Sequence, residues 1–218
     1  MITQWSYSRW QTYTQCPFKA KCAYIDKLPQ PDSPALAKGN MVHAAAEDYI
    51  NKKRKDIIPE LKHFSVELKG FRKKPPFVEL QWAFTNKWEP TGWFDKDCWC
   101  RVKTDVMWAV EKTHDGFIVD WKTGKQYEEH KDQLGLYALG GFIVLPELLR
   151  IRAADWYCDT GVKVPEDYIA GEAKPLKQLW NKRVEPMLHD EKFVPKPNRF
   201  CGWCPFRKAV GGPCKFGV

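Results

Sequence analysis

Three residues near the middle of the chain are of types that can do chemistry together. Gly116-Phe-Ile-Val-Asp-Trp-Lys-Thr-Gly124 reads as an apolar strand that carries Asp120, ends at Lys122 and is broken by Gly124. Side chains alternate along a strand, so Asp120 and Lys122 share one face. A carboxylate in that place can hold a hard cation, and an ammonium beside it can offset phosphate charge or ease deprotonation of a water. For an Asp–Lys pair taken alone, an ordinary surface ion pair is the simpler reading. One strand earlier, Arg101-Val-Lys-Thr-Asp-Val-Met-Trp-Ala-Val110 sets Asp105 in a half-apolar run, where a bare carboxylate is costly to bury. A turn near His114 would fold the two strands together and bring Asp105 near Asp120. Two such carboxylates repel, and a divalent cation resolves the repulsion.

The second group is Cys201-Gly-Trp-Cys204, followed ten residues on by Cys214, in a tail rich in Pro and Gly. Three thiolates call for a fourth ligand, and spacing alone does not separate Zn²⁺ from [4Fe–4S]. Free thiols would leave an aperiodic tail with three cysteines unexplained. Cys98, Cys100 and Cys158 fall in strand-like segments and read as small buried hydrophobes.

The elements that must position these groups can be read in outline. Ser6 or Ser8 caps a first helix running to about Lys21. Ser33 and Pro34 read as N-cap and first position of a second helix, to about Lys53, with Gly39, Val42, His43, Ala46, Glu47 and Ile50 at helical spacing. A third helix is expected from Pro59 to about Phe71. Strands follow at 77–85, 98–110 and 116–122, with turns at 86–97 and 111–115. Then come a helix at 128–144, a strand at 149–159 and a helix at 172–189. Helices, then a strand meander, then helix, strand and helix suit an α/β fold with a central mixed sheet flanked by helices.

Bulk composition is compatible with this reading. The chain has 218 residues, 44% hydrophobic, enough for one domain with its own core. Its net charge of +8 favours a polyanionic partner. Most of the eleven Trp belong in the core; others could stack on unpaired bases. The N-terminal residues lack a secretory pattern, and the apolar run near Phe142 is too short to span a bilayer. A cytoplasmic location is therefore expected, in which the eight Cys stay reduced and metal ligation is the better use for those in the tail.

In order along the chain, these features resemble the PD-(D/E)xK nuclease superfamily and, within it, the RecB-like branch that includes helicase-linked exonucleases, a CRISPR-associated nuclease and small phage exonucleases. The resemblance rests on Asp105 and Asp120-Trp-Lys122, together with four further segments. Gly39-Asn-Met-Val-His43 is similar to the family's Gly-x-x-x-His helix. Gln133-Leu-Gly-Leu-Tyr137 is similar to its Gln-x-x-x-Tyr motif; a core Tyr with a capping Gln is the plainer alternative. Ser6-Tyr-Ser-Arg9 with Tyr13-Thr-Gln-Cys-Pro17 is similar to its opening segment. The terminal Cys group matches its iron–sulfur subset, although the interval from Cys204 to Cys214 is longer than usual there.

The resemblance implies a restriction-endonuclease-like core in a single nuclease domain over 1–218. Segments 1–30 and 190–218 would together form a metal-cluster subdomain, and 31–189 the catalytic core. It implies one divalent ion, Mn²⁺ or Mg²⁺, on His43, Asp105, Asp120 and the Trp121 carbonyl. Beside this set, Glu79 could join a second ion or the outer shell and Glu47, one turn past His43, could orient its ring, or both could be solvated. Lys122 would face the attacking water and the phosphate, with Gln133 and Tyr137 beside it. A [4Fe–4S] cluster, or structural Zn²⁺, would sit on Cys16, Cys201, Cys204 and Cys214, with Cys22 in reserve for Cys16. The implied activity is a DNA exonuclease on single strands or ends, in recombination, repair, phage genome processing or CRISPR adaptation. A nicking or flap-cutting endonuclease, a non-catalytic DNA-binding adaptor and a zinc-stapled interaction protein are the rivals. Homo-oligomers or a helicase partner are expected associations; no Gly-x₄-Gly-Lys-Ser/Thr motif occurs, so unwinding would come from a partner.

Overall fold

A computed structural model describes residues 1–31, 33–126 and 130–217, the side chain of His130 excepted. Its centre is a six-stranded mixed sheet in the order β2-β1-β3-β4-β5-β6. The strands are β1 (Phe77–Phe84), β2 (Pro90–Thr91), β3 (Cys100–Val110), β4 (Asp115–Lys122), β5 (Arg150–Tyr157) and β6 (Val162–Ile169). β1, β3 and β4 form an antiparallel meander, β4 and β5 run parallel, and β6 turns back against β5. The parallel step needs a crossover, and helix α5 (His130–Val144) supplies it.

Each face of the sheet carries its own core. On one face lie the N-terminal segment, α5 and α6 (Ala173–Leu188). There Trp5 and Trp180 stack at 5.3 Å, both almost fully buried. Truncating a Trp in such a place costs about 3–5 kcal/mol. The other face is covered by α3 (Pro34–Ile50), a 3₁₀ turn at Pro59–Phe64 and α4 (Ser65–Lys73). Period-two alternation assigns Val119 and Trp121 to this second core, while Ile118 joins the first. Past its polar first turn, α5 is apolar on all sides from Leu134 to Phe142, as a helix pressed between sheet and α6 must be. Gly140 makes the approach possible, because a Cβ there would lie 2.7 Å from the Trp82 ring.

Several elements depart from the sequence reading. The first helix does not continue to Lys21: α1 spans Tyr7–Gln15, and Cys16 is extended at φ −162° before α2 (Pro17–Ala20) and a π turn at Lys21–Ile25. A residue preceding proline disfavours helical backbone, and Pro17 imposes the break. The segment 59–71 divides into a 3₁₀ turn and α4, and the second helix stops at Ile50. β2 lies inside the expected turn at 86–97. β6 was not anticipated; as an edge strand it tolerates Pro165 and exposed charge. The helix expected from residue 128 begins, among the described residues, at His130; 127–129 lie outside them. No helix among the described residues is long and apolar enough to cross a membrane.

Candidate active site

Four carboxylates stand in line across four neighbouring strands. Asp120 pairs directly with Asp155 across β4 and β5. The β3–β4 register, which ends at Val106↔Val119, puts Asp105 opposite Asp120. The β1–β3 register, flanked by Val78↔Val106 and Leu80↔Thr104, puts Glu79 opposite Asp105. Glu79 has φ +55°, an uncommon left-handed backbone for a residue with a Cβ. Neighbouring cross-strand groups lie about 5 Å apart, and unit charges at that distance repel by about 3 kcal/mol at an effective dielectric of 20. Such a row requires cations or protons.

Three cationic side chains answer it. Lys122 Nζ lies 2.5 Å from Asp120 Oδ2 and 3.7 Å from Asp155 Oδ1, and donates to Gln133 Oε1 at 2.7 Å. Lys103 pairs with Glu79. His43 Nδ1 is 3.0 Å from Asp105 Oδ1, and the ring also reaches the backbone of Trp121. Asp105 Oδ2 accepts the Trp121 N–H at 2.8 Å. Helix α3 carries His43 to this place because Ser33 caps it, accepting Leu36 N–H at 3.1 Å. At Gly39 the helix passes the end of β4, where a Cβ would sit 3.4 Å from Thr123 Oγ1.

α5 completes the surround. Tyr137 Oη donates to Asp120 Oδ1 at 2.9 Å, and Gln133 Nε2 lies 2.6 Å from Tyr137 Oη and 3.3 Å from Asp120 Oδ1. The two residues are one helical turn apart and share the face toward β4.

The electrostatics follow from burial and crowding. Burial lowers the Lys122 pKa, but Asp120 and Asp155 outweigh it, so the net shift is upward and the group stays an ammonium. Burial also lowers that of His43; the hydrogen bond and charge of Asp105 reverse this and raise it to about 9. Asp105 is pushed up by burial and by Asp120, with His43 opposing. Burial lifts Asp155 to about 7 against the pull of Lys122. Tyr137 is driven well above its ordinary value by burial and by Asp120, so it serves as a donor.

His43, Glu79 and Asp105 have ligand atoms that all lie within 4.8 Å of one another. Hard oxygen donors with one imidazole fit Mg²⁺ or Mn²⁺. Asp120 stands beside this group with its oxygens engaged by Tyr137, Gln133 and Lys122. Among the described residues Glu47 makes no hydrogen bond to His43; the carboxylate that orients the ring is Asp105. Asp155 was missed in the sequence. Its signal was the dipeptide Asp-Trp, present both as Asp120-Trp121 and as Asp155-Trp156 and paired in register.

The tail cysteines lie in one corner with the N-terminal segment. Cys16 Sγ accepts the Lys196 N–H at 3.4 Å, and Cys201 Sγ accepts the Asn198 N–H at 3.3 Å. Asn198 also donates to the Gln15 carbonyl at 3.0 Å. Cys204 is shifted upward, chiefly by burial, with Cys214 and Cys16 adding to it. Cys16, Cys201, Cys204 and Cys214 are half-buried, whereas Cys22 is fully buried, its thiol raised to about 11 mainly by that burial. The donor set suits a thiolate-bound metal group. Cys98, Cys100 and Cys158 are buried.

A mixed sheet with acidic groups and a lysine gathered against a histidine helix defines a nuclease-type centre. The family model of the PD-(D/E)XK nuclease superfamily matches residues 4–96 and 103–209, and the chain belongs to that superfamily. Two solved structures share the fold. SSO0001 is 16% identical with a TM-score of 0.51, covering 99% of this chain and 89% of its own. A protein of Eubacterium rectale, provisionally named an exonuclease, is 13% identical with a TM-score of 0.55, covering 99% and 91%. No curated protein matches the chain.

Proposed function

We propose that this nuclease is a divalent-metal-dependent DNA exonuclease acting on single strands or ends. The observation that carries the reading is the line Glu79, Asp105, Asp120 and Asp155 with His43 on Asp105 and Lys122 between Asp120 and Asp155. His43, Asp105, Asp120, the Trp121 carbonyl and Glu79 would hold Mn²⁺ or Mg²⁺; when bound, the ion supplies positive charge to the phosphate and acidifies a water. Lys122, 2.5 Å from Asp120, would offset developing negative charge or ease deprotonation of the water. Gln133 and Tyr137 fix the Asp120 carboxylate and hold Lys122 in line. None of these groups needs to read a base, so cutting would follow backbone geometry, not sequence.

Cys16, Cys201, Cys204 and Cys214 would hold a [4Fe–4S] cluster with a structural role. A tetrahedral zinc site on the same four thiolates is the alternative.

The test is cleavage of end-labelled linear and closed circular single-stranded DNA with Mn²⁺, Mg²⁺ or EDTA, beside Asp120→Ala. Metal-dependent loss of the linear strand alone supports the exonuclease. Cutting of the circle moves the activity to an endonuclease, and no cutting of either overturns the catalytic reading.

A further inference from the structure

A cavity of about 310 Å³ opens beside Gln133 and Tyr137, between the start of α1 and the loop joining β2 to β3. Its lining brings together Arg9, Arg101 and Lys103 with the hydroxyl residues Ser6 and Ser8, and among the described residues it contains no carboxylate. Lys103 is engaged with Glu79. The two guanidinium groups are less satisfied. Arg9 donates to the Gln4 carbonyl at 3.0 Å and Arg101 to the Trp93 carbonyl at 2.6 Å. The Arg101 Nε is buried and has no hydrogen-bond partner among the described residues, which is costly for a cationic donor unless an acceptor arrives. Burial, with the charge of Arg101 adding to it, holds Arg9 below its ordinary pKa. Two like charges converging on one cavity, with spare donors and no acid, suit an anion held by planar forks.

The aromatic neighbours narrow the choice of anion. Arg101 lies over Trp93 at 5.2 Å and over Phe94 at 5.7 Å, and Phe94 is 88% exposed. A basic pocket next to a free aromatic face is the combination that binds a nucleic-acid strand by its phosphate and a neighbouring base. Tyr137 joins this cavity to the chemistry, because it lines the one and bonds Asp120 in the other.

We infer that Arg9, Arg101, Ser6 and Ser8 form a phosphate subsite for a single strand entering the active site, with a base stacked on Phe94. The inference rests on the nuclease reading and adds a fixed path for the substrate. The phosphate would be either a strand's terminal phosphate or an internal phosphodiester.

The test is binding of a short fluorescein-labelled oligothymidine in EDTA, read by anisotropy over a salt series. Arg9→Gln and Arg101→Gln should each raise Kd about tenfold and flatten the salt dependence by about 0.7 in log–log slope. Phe94→Ala should raise Kd by a similar factor with the slope unchanged, since stacking releases no counterion. Phe94 is exposed, and Arg101→Lys keeps the charge, so these variants report even where Arg101→Gln unfolds. An arginine effect that disappears on a 5′-hydroxyl strand assigns a terminal phosphate; one that persists on a closed circle assigns an internal one. Unchanged Kd and slope in Arg9→Gln with unchanged Kd in Phe94→Ala, while the wild type binds and cuts, overturn the subsite and leave the nuclease standing. A wild type that neither binds nor cuts overturns both.

Discussion

Asp120 and Asp155 face each other across the parallel pair β4–β5 and share the ammonium of Lys122, which sits 2.5 Å from the first and 3.7 Å from the second. Only Asp120 also receives the Tyr137 hydroxyl. The two carboxylates are therefore unlike, one held by several donors and the other lifted to about 7, first by its burial.

That asymmetry makes Asp155→Asn informative. A buried acid with a raised pKa costs stability once it ionises, so at pH 8 and without added metal the variant should gain on the order of 1 kcal/mol. Lys122 loses its second carboxylate, so kcat should fall about tenfold with KM nearly unchanged. Denaturant melts and steady-state cleavage check this; a variant no more stable and fully active would remove Asp155 from the positioning of Lys122.

Asp120→Ala and Lys122→Ala should each reduce cutting by about 1,000-fold or more while circular dichroism and DNA binding stay close to wild type. The measurement is single-turnover cleavage beside anisotropy. Near-normal cutting by either variant would show that the chemistry lies elsewhere.

On the proposed cluster assignment, Cys201→Ala should lower Tm and abolish visible absorbance in protein purified without oxygen, leaving the C-terminal segment joined to the end of α1 only by the bonds of Lys196 to Cys16 and of Asn198 to Gln15. A colourless wild type containing zinc would replace the iron–sulfur assignment by a zinc one.

The acid limb of stability should depend on Asp190. Burial raises its pKa, but the N–H groups of Phe193 and Lys192 and the Tyr13 hydroxyl, which donates at 2.8 Å, outweigh burial and lower it. A depressed carboxylate contributes stability above its unfolded value of 3.8, lost as pH falls through the folded value. Asp190→Asn should thus melt earlier than wild type at pH 6 and together with it well below pH 3.8. Equal melting at both pH values would refute the linkage.

Much of the active-site frame was legible because it rests on local rules. Ser33 and Pro34 gave the start of α3, and period two placed Asp120 and Lys122 on one face. Pro17 also carried a readable signal, the break at Cys16, which the helical pattern around it obscured. Asp155 depended on the register between β4 and β5, which the crossover through α5 separates in the chain, and a sequence does not display register. β6 was hidden for another reason: an edge strand needs little apolar surface, so Val162–Ile169 resembles a loop. The cavity beside Tyr137 joins Arg9 to Arg101, which only the folded chain brings together.

The N-terminal segment has a consequence for how the molecule is made. Trp5 donates its N–H to the Trp99 carbonyl, its own carbonyl accepts from Arg101, and its ring stacks on Trp180. During synthesis the first residues emerge long before any of these partners exist. A core assembled from such distant parts closes late and slowly, and until then an apolar aromatic segment stays uncovered and open to association. High-level expression of this chain should therefore be limited less by the stability of the finished enzyme than by the interval before Trp180 arrives, and slower synthesis at low temperature should raise the soluble yield.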